Sequence, residues 1–525
     1  MKKLIYTLSV LLIFCTISSC KKFVDINTNP NAPTIVDAAS LLPPIQAGME
    51  RGIWFDSRYI GQYAQIWGSS AANNIWDEEG YAPGSDANGE MWRTIYFSLG
   101  QNVNLMIQDA TGHNKYEYLG VAHALRAWGW QNGADIYNYM VVKEAYDPTK
   151  LTFNYDDPQT VYAEAVKECR LALQYFNQAT KADGITGVST TLQKGDYMYA
   201  GDRSKWVKFV YSILAQNALH ISNKSTFSAD SVAKYVDLSF ASNADNASVQ
   251  NTASNSIDAN FWGPSRGNLA GFRQSDFIVR LLDGRILAGA ANQDTLADPR
   301  LPLLLNRSAD RAYRGVVPPL GDINSADPKT LIPAFAGANT IKATGTAKYL
   351  FNDNSRGVLM TYPVLQFMKS EALFKKGDLG GAYSAYITGI KGALDFASNP
   401  PSGTNLTGSQ NYISTTAQAG YLTGLSVRQS AATLKLSDIL QQKFIALFLW
   451  NPIEAWSDER RYSYDATIFQ GFIRPGTLYP DNAGKQVYVV RPRYNSEYIW
   501  NVPSLQKIGA TAPDYHTTKP WFVLP

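Results

Sequence analysis

The sequence predicts a mostly α-helical protein, and three observations lead to that prediction. Apolar residues recur at three- and four-residue spacing along several long segments. Residues that cap or break helices stand at the ends of these segments. Strand-like alternation is scarce and short, and residues 487–490 are the best case of it. We therefore expect helical hairpins joined by long irregular loops.

Length and composition exclude several classes of protein. Of the 525 residues, 45% are hydrophobic and only 17% are charged, which is too apolar a composition for a disordered chain. No run of about 18 apolar residues is present, so a polytopic membrane protein is excluded. The 47 basic and 44 acidic residues nearly balance. Because no segment gathers the basic residues, nothing indicates a nucleic acid partner.

Residues 1–19 have the pattern of a bacterial lipoprotein signal peptide. Two lysines follow Met1, and the mostly apolar residues 4–17 form a stretch too short to span a bilayer. Two serines then stand directly before Cys20, as in a lipobox. We expect Cys20 to carry a lipid, with an ordinary signal peptide as the alternative. Residues 20–40 are rich in Asn and Pro, which predicts an extended, lipidated tether.

Cysteine usage excludes a disulfide-stabilised module. Cys15 lies in the predicted signal peptide and Cys20 is the predicted lipid attachment site, so Cys169 has no partner. Cys169 falls on the apolar face of a predicted helix. We interpret it as a small buried hydrophobic residue rather than as a nucleophile.

Residues 41–525 are expected to form a single helical domain. Predicted hairpins cover about residues 117–180, 203–238, 363–397 and 436–450. In the hairpin at 363–397, Gly377 ends the first helix and Asp378 caps the second, with a spacing typical of tetratricopeptide repeats. Asp157 and Pro158 begin another helix, as an N-cap and a first-position proline.

Four long polar segments separate the predicted helices. They cover residues 66–92, 240–275, 306–356 and 398–433. Loops of this length in a compact domain commonly carry a binding function. We therefore expect them to be ligand-binding loops.

Motifs for catalysis are few and incomplete. The sequence GPSRG at residues 263–267 matches the nucleophile elbow of serine hydrolases, with Ser265 at its centre. A hydrolase needs a buried strand before this serine, but the preceding residues are polar, and His516 is the only histidine that follows. A lipid-anchored serine hydrolase is therefore kept as an alternative.

Signals for glycosidase, metal or nucleotide chemistry are weaker still. Acidic clusters at residues 77–79 and 156–157 have the residue type of glycosidase carboxylates, although solvated loop carboxylates are the commoner explanation. The four histidines lack metal-ligand spacing, and no phosphate-binding glycine motif occurs. We predict no metal and no cofactor.

Tryptophan is concentrated in one early segment. Trp54, Trp67, Trp76 and Trp92 fall within 39 residues, where an even spread of the twelve tryptophans would place about one. Trp67 and Trp76 stand among Asn and Asp residues. A sugar ring stacks its C–H face on an aromatic ring while its hydroxyls bind amides and carboxylates. This combination favours a carbohydrate-binding site, and a second polar loop, with Trp262, repeats it.

Eight residues are the candidates for this site. They are Trp67, Asn73, Asn74, Trp76, Asp77, Tyr81, Trp262 and Arg266. The alternative is that the tryptophans anchor the loops to the helical core, which is the better interpretation for Trp54 and Trp92 because their neighbours are apolar. For Trp67, Trp76 and Trp262 both interpretations stay open.

Taken in order along the chain, several segments resemble the SusD/RagB family of outer-membrane nutrient-binding lipoproteins, especially its second SusD-like branch. The segments are FVDINTNPNAP at 23–33, ALRA at 124–127, DIY at 135–137, GD at 201–202 with Lys205, Trp206, Lys208 and Phe209, DPRLP at 298–302, the hairpin at 363–397, QKFIAL at 442–447, EAW at 454–456 with Arg460 and Arg461, and TKPW at 518–521. Gln216 and His220 stand where basic residues are expected, and we expect this to change only local packing.

The resemblance implies a helical, tetratricopeptide-containing fold whose ligand loops share one face and which binds without catalysing. It also implies a lipid-anchored protein that faces outward from the outer membrane and passes oligosaccharide to a SusC-like, TonB-dependent transporter. The protein would lie over that transporter as a lid. A peptide ligand, and a structural role on the transporter with no ligand at all, are the alternatives.

Overall fold

The computed structural model describes residues 36–399 and 412–525, apart from residues 83, 256–257, 264, 290–296, 324 and 335–351. The predicted signal peptide, Cys20 and most of the predicted tether lie outside these residues. Residues 38–525 form one compact unit. The prediction of a mostly helical fold is confirmed.

Sixteen α-helices lie in the part of the chain that the structure describes. They are α1 (Ala38–Tyr63), α2 (Glu90–Arg93), α3 (Gly100–Gly112), α4 (Tyr116–Tyr137), α5 (Pro158–Asp183), α6 (Arg203–His220), α7 (Ala229–Leu238), α8 (Asp276–Leu282), α9 (Leu301–Leu304), α10 (Tyr362–Lys376), α11 (Leu379–Ser398), α12 (Thr415–Leu422), α13 (Leu436–Leu447), α14 (Pro452–Arg461), α15 (Tyr494–Trp500) and α16 (Val502–Lys507). A π-helical turn, Thr94–Ser98, joins α2 to α3. None of the described helices is both long enough and apolar enough to cross a membrane.

The predicted hairpin segments contain helices that pack in pairs. Helix α4 packs on α5, α6 on α7, and α10 on α11, while α13 packs on α10. The ends of α5 and α11 follow the local signals: Asp157 Oδ1 accepts a 2.9 Å hydrogen bond from the Thr160 amide, and Asp378 Oδ1 accepts one from Gly381. Gly377 ends α10 in the left-handed region, with φ of 89°.

Small residues allow close helix packing in the tetratricopeptide-like hairpin. A Cβ atom added to Gly389 of α11 would lie 2.9 Å from the ring of Phe367 on α10. Gly389 is therefore required by the approach of the two helices rather than by a turn. Cys169 on α5 is also buried, as predicted, and burial raises the pKa of its thiol.

Within the described residues, four short strands form two antiparallel pairs. They are β1 (Trp67–Ser69), β2 (Ala247–Val249), β3 (Phe272–Gln274) and β4 (Gly357–Met360). β1 pairs antiparallel with β3, and β2 pairs antiparallel with β4. The segments 66–92 and 240–275, both expected to be ligand-binding loops, are thus tied together by a ladder.

Residues 487–490 do not form a strand, which corrects the best strand prediction from the sequence. The Tyr488 and Val489 amides both donate to the carbonyl of His516, and the Val490 amide donates to Ile136 in α4. All four residues are buried. Their apolar character therefore reflects packing between helices rather than pairing in a sheet.

A network of buried charges joins four helices of the core. Lys443 on α13 donates to Glu454 Oε1 (2.7 Å) and Asp458 Oδ1 (2.9 Å) on α14. Arg461 on α14 binds both oxygens of Glu371 on α10, at 2.6 and 3.0 Å. His220 on α6 also contacts Glu454. These contacts cross-link α6, α10, α13 and α14 away from solvent.

Candidate ligand-binding site

The three tryptophans of the predicted site are buried. Trp67, Trp76 and Trp262 expose between 0 and 6% of their surface. Trp67 Nε1 donates a 2.9 Å hydrogen bond to the carbonyl of Arg58 on α1, and Trp262 stacks on Trp54 of α1 with centroids 4.4 Å apart. The rings therefore anchor both loops to α1 in this structure, and a sugar could stack on them only if the loops opened.

Several polar residues of the predicted site hold the backbone of their own loop. Asp77 accepts hydrogen bonds from Gln62 Nε2 (2.7 Å) and from the Ser69 amide (2.9 Å), and burial raises its pKa to about 6. Asn74 Oδ1 accepts from the Trp76 amide. These contacts stabilise the loop, and a role in binding stays a prediction for Asp77 and Asn74.

The remaining candidates differ in their exposure. Tyr81 is buried, and its hydroxyl donates to the carbonyl of Ala87 at 3.1 Å. Asn73 is exposed, and its amide donates to the carbonyl of Pro319. Arg266 is partly exposed beside the ring of Phe261, with its guanidinium carbon 5.5 Å from the ring centroid. Asn73, Asn74 and Arg266 are thus the predicted residues that reach solvent.

Sequence reasoning missed a partly exposed cluster on α1, made of Phe55, Arg58 and Tyr59. The Arg58 guanidinium carbon lies 4.1 Å from the ring centroid of Phe55 and 5.4 Å from those of Tyr59 and Phe261. Tyr59 packs on Trp76, with centroids 4.8 Å apart. The i, i+3, i+4 spacing on one helix was the signal that could have found this cluster.

A cleft of about 620 Å³ opens beside Phe261 and Arg266. Its walls come from α1, from the π-helical turn and from the loop that contains Asn251 and Asp258. Phe97, in the π-helical turn, exposes 62% of its surface. The volume lies within the range of about 300–1,000 Å³ that is usual for small-molecule sites.

The charges of the cleft are partly paired. Arg51 and Arg93 both bind Glu90 Oε1, at 2.9 and 3.1 Å. Asn251 Nδ2 donates to Glu50 at 3.0 Å, and burial raises the pKa of Glu50 to about 7. Aromatic rings, amides and guanidinium donors therefore line one concave surface. Such a surface can stack on the C–H face of a ring and bind its hydroxyls.

The candidate nucleophile elbow has a different role in the structure. Ser265 Oγ donates a 2.6 Å hydrogen bond to Asp353, and its amide donates to the other oxygen of that carboxylate. His516 is buried elsewhere, with Nε2 2.8 Å from Asn482 Oδ1. Burial lowers the pKa of His516 to about 4. Within the described residues, Ser265 and His516 form no catalytic arrangement.

The sequence was also compared with known families. Residues 30–471 match the second SusD-like family, described as starch-binding and associating with the outer membrane. The chain belongs to the SusD-like family. The resemblance seen in the sequence is thereby confirmed.

Solved structures of SusD-like proteins have the same fold. A SusD homologue from Bacteroides fragilis is 16% identical, with a TM-score of 0.68 over 93% of this chain and 100% of that one. A SusD/RagB protein from Bacteroides thetaiotaomicron is 19% identical, with a TM-score of 0.67 over 93% of this chain and 99% of that one. A chitin-binding SusD homologue from Flavobacterium johnsoniae is 17% identical, with a TM-score of 0.70 over 93% of this chain and 98% of that one. No curated protein is similar enough in sequence to be matched to the chain.

Proposed function

We propose that this SusD-like protein binds oligosaccharide in the cleft beside Phe261 and Arg266. The observation that carries the proposal is the largely exposed ring of Phe97 in a concave surface that also offers amide and guanidinium donors. An exposed aromatic ring within a concave surface presents a face on which a sugar ring can stack. A sugar ring matches both the apolar and the polar part of this surface.

The family and one similar structure support the class of ligand. The matched family is described as starch-binding, and the Flavobacterium johnsoniae homologue as chitin-binding. Both ligands are chains of neutral or nearly neutral hexose units. The protein would bind such chains without cleaving them, which agrees with the engagement of Ser265 by Asp353.

We also propose where the protein works. Lipidation at Cys20 would anchor it to the outer membrane, facing outward, and a SusC-like, TonB-dependent transporter would receive the oligosaccharide beneath it. The matched family is described as associating with the outer membrane, which supports this location. Purification of the lipidated protein in mild detergent tests the partnership, since a transporter of this class should co-purify with it.

The binding experiment uses residues 21–525 and tryptophan fluorescence. Malto- and chito-oligosaccharides are titrated into the wild type, Phe97→Ala and Arg266→Ala, with a peptide mixture as the competing ligand class. Loss of the Phe97 ring or of the Arg266 guanidinium should weaken binding roughly three- to tenfold. Tyr412→Ala is the matched control, because Tyr412 is 59% exposed and lies outside the cleft. Equal affinities in all variants would contradict the proposed site.

A further inference from the structure

A second cavity adjoins the cleft and has no role in the proposed function. Its volume is about 560 Å³. Five aromatic residues line it: Trp92, Tyr96, Phe97, Tyr146 and Phe153. Arg93 and Phe97 line both the cavity and the cleft, so the two hollows meet at these residues.

The π-helical turn shapes the wall between the two hollows. The Leu99 amide donates a 2.8 Å hydrogen bond to the Thr94 carbonyl, five residues earlier. The turn carries Tyr96 and Phe97 next to each other, and Phe97 is left largely exposed. A π-helical turn is less stable than a continuous α-helix and is found frequently at functional sites.

The cavity also offers polar side chains. Gln101 is exposed and lines the cavity, and its amide both donates and accepts hydrogen bonds. Glu497 also lines it, and its Oε2 accepts from Tyr155 (2.5 Å) and Asn501 (3.0 Å). The amide of Gln101 is a hydrogen-bonding group for a ligand hydroxyl.

The two tyrosine hydroxyls of the cavity are already in use. The Tyr96 hydroxyl donates to the carbonyl of Val141, and the Tyr146 hydroxyl donates to that of Ile95. The rings of these tyrosines therefore serve as apolar walls.

The charges of the cavity balance. Arg93 and Arg493 face Asp147 and Glu497 around its lining, and Arg493 also pairs with Asp86. A lining with two cations and two anions favours an uncharged ligand. Aromatic walls together with the amide of Gln101 suit a ring that has both a C–H face and hydroxyl groups.

We propose that this cavity is a second subsite, which takes the end of an oligosaccharide held in the cleft. The inference rests on the proposed function, since the cleft must bind saccharide first. A chain long enough to pass Phe97 would occupy both hollows at once. Its affinity would then exceed that of a chain confined to the cleft.

The test compares cavity variants with a cleft variant, using malto- and chito-hexaose and residues 21–525. Phe153→Ala removes one wall, and Gln101→Ala removes an exposed amide of the lining. We expect hexaose affinity to fall about tenfold and about fivefold, respectively. Gln101→Ala, at an exposed position, should keep the wild-type unfolding midpoint. Leu151→Ala is the control, because Leu151 is 92% exposed and does not line the cavity.

Arg266→Ala changes a residue that lines the cleft and not the cavity, so it separates the two proposals. Weaker binding in this variant, with wild-type affinity in Phe153→Ala and Gln101→Ala, would overturn the second subsite and leave the proposed function standing. Weaker binding in the cavity variants alone would support the cavity as a saccharide site and refute the cleft. An absence of hexaose binding by the wild type would overturn both proposals.

Discussion

His220 Nε2 lies 3.0 Å from Glu454 Oε2, and both side chains are inaccessible to solvent. The other ring nitrogen, Nδ1, lies 3.0 Å from Asp135 Oδ1. One imidazole thus joins α4, α6 and α14. Burial alone would lower the pKa of His220, but the two carboxylates outweigh it and raise the pKa to about 9.

Removing this imidazole should destabilise the fold strongly. His220→Ala removes the imidazole that contacts both Asp135 and Glu454, and leaves Glu454 with Lys443 and Gln216. We therefore expect a loss of about 3–5 kcal/mol in the free energy of unfolding. Urea denaturation measures this loss. His113→Ala is the matched control: its imidazole is largely exposed, so its contact with Asp109 should contribute at most about 1 kcal/mol. An equal loss of unfolding free energy in both variants would show that burial does not increase the contribution of His220 to stability.

The contribution of His220 should also depend on pH. Its pKa is about 9 in the folded protein against 6.5 for an unperturbed histidine. The stabilisation is therefore complete below the unfolded pKa and is lost as the pH rises through about 9. The stability difference between the wild type and His220→Gln should be larger near pH 6 than near pH 10. A difference that is independent of pH would mean that the imidazole is neutral in the folded protein.

Glu459 on α14 is expected to oppose folding. Its carboxyl is buried, both oxygens lack a hydrogen-bond partner among the described residues, and burial raises its pKa well above the usual range. Glu459→Met should raise the free energy of unfolding by roughly 1–3 kcal/mol at pH 8. The gain should shrink towards pH 4, where the wild-type carboxyl is protonated in both states. Destabilisation at both pH values would reveal a partner that stabilises the carboxylate.

The buried ring of Trp262 and the exposed ring of Phe97 should respond differently to substitution. Trp262→Ala removes a fully buried ring stacked on Trp54, so we expect a loss of about 3–5 kcal/mol in the free energy of unfolding. Phe97→Ala, at a largely exposed position, should change stability by less than about 1 kcal/mol and yet weaken oligosaccharide binding. Thermal unfolding and a fluorescence titration of both variants check this. If Trp262→Ala weakened binding without loss of stability, Trp262 would again be a candidate for stacking on the sugar.

Signals within a few residues of one another predicted the helices well. The caps at Asp157 and Asp378 and the break at Gly377 depend on local backbone chemistry, and the structure has each of them. The pairing of β1 with β3 joins residues about 200 positions apart in three-residue strands. Strands so short leave no periodicity to detect.

Side-chain direction is what the sequence did not reveal about the site. The polar neighbours of Trp67 predicted an exposed loop, but its strand pairs with β3 and its ring packs against α1. His220 was expected to affect only local packing, yet its partners Asp135 and Glu454 come from distant segments of the chain. Contacts between distant segments determine both the burial of Trp67 and the partners of His220.

A crystal structure with bound hexasaccharide tests the central claim most directly. The ligand is whichever malto- or chito-hexaose binds residues 21–525 more tightly in the fluorescence titration. We predict sugar rings in the cleft between Phe97 and Phe261, with a hydroxyl within hydrogen-bond distance of Arg266. Hexasaccharide bound at another surface, with this cleft empty, would contradict the account.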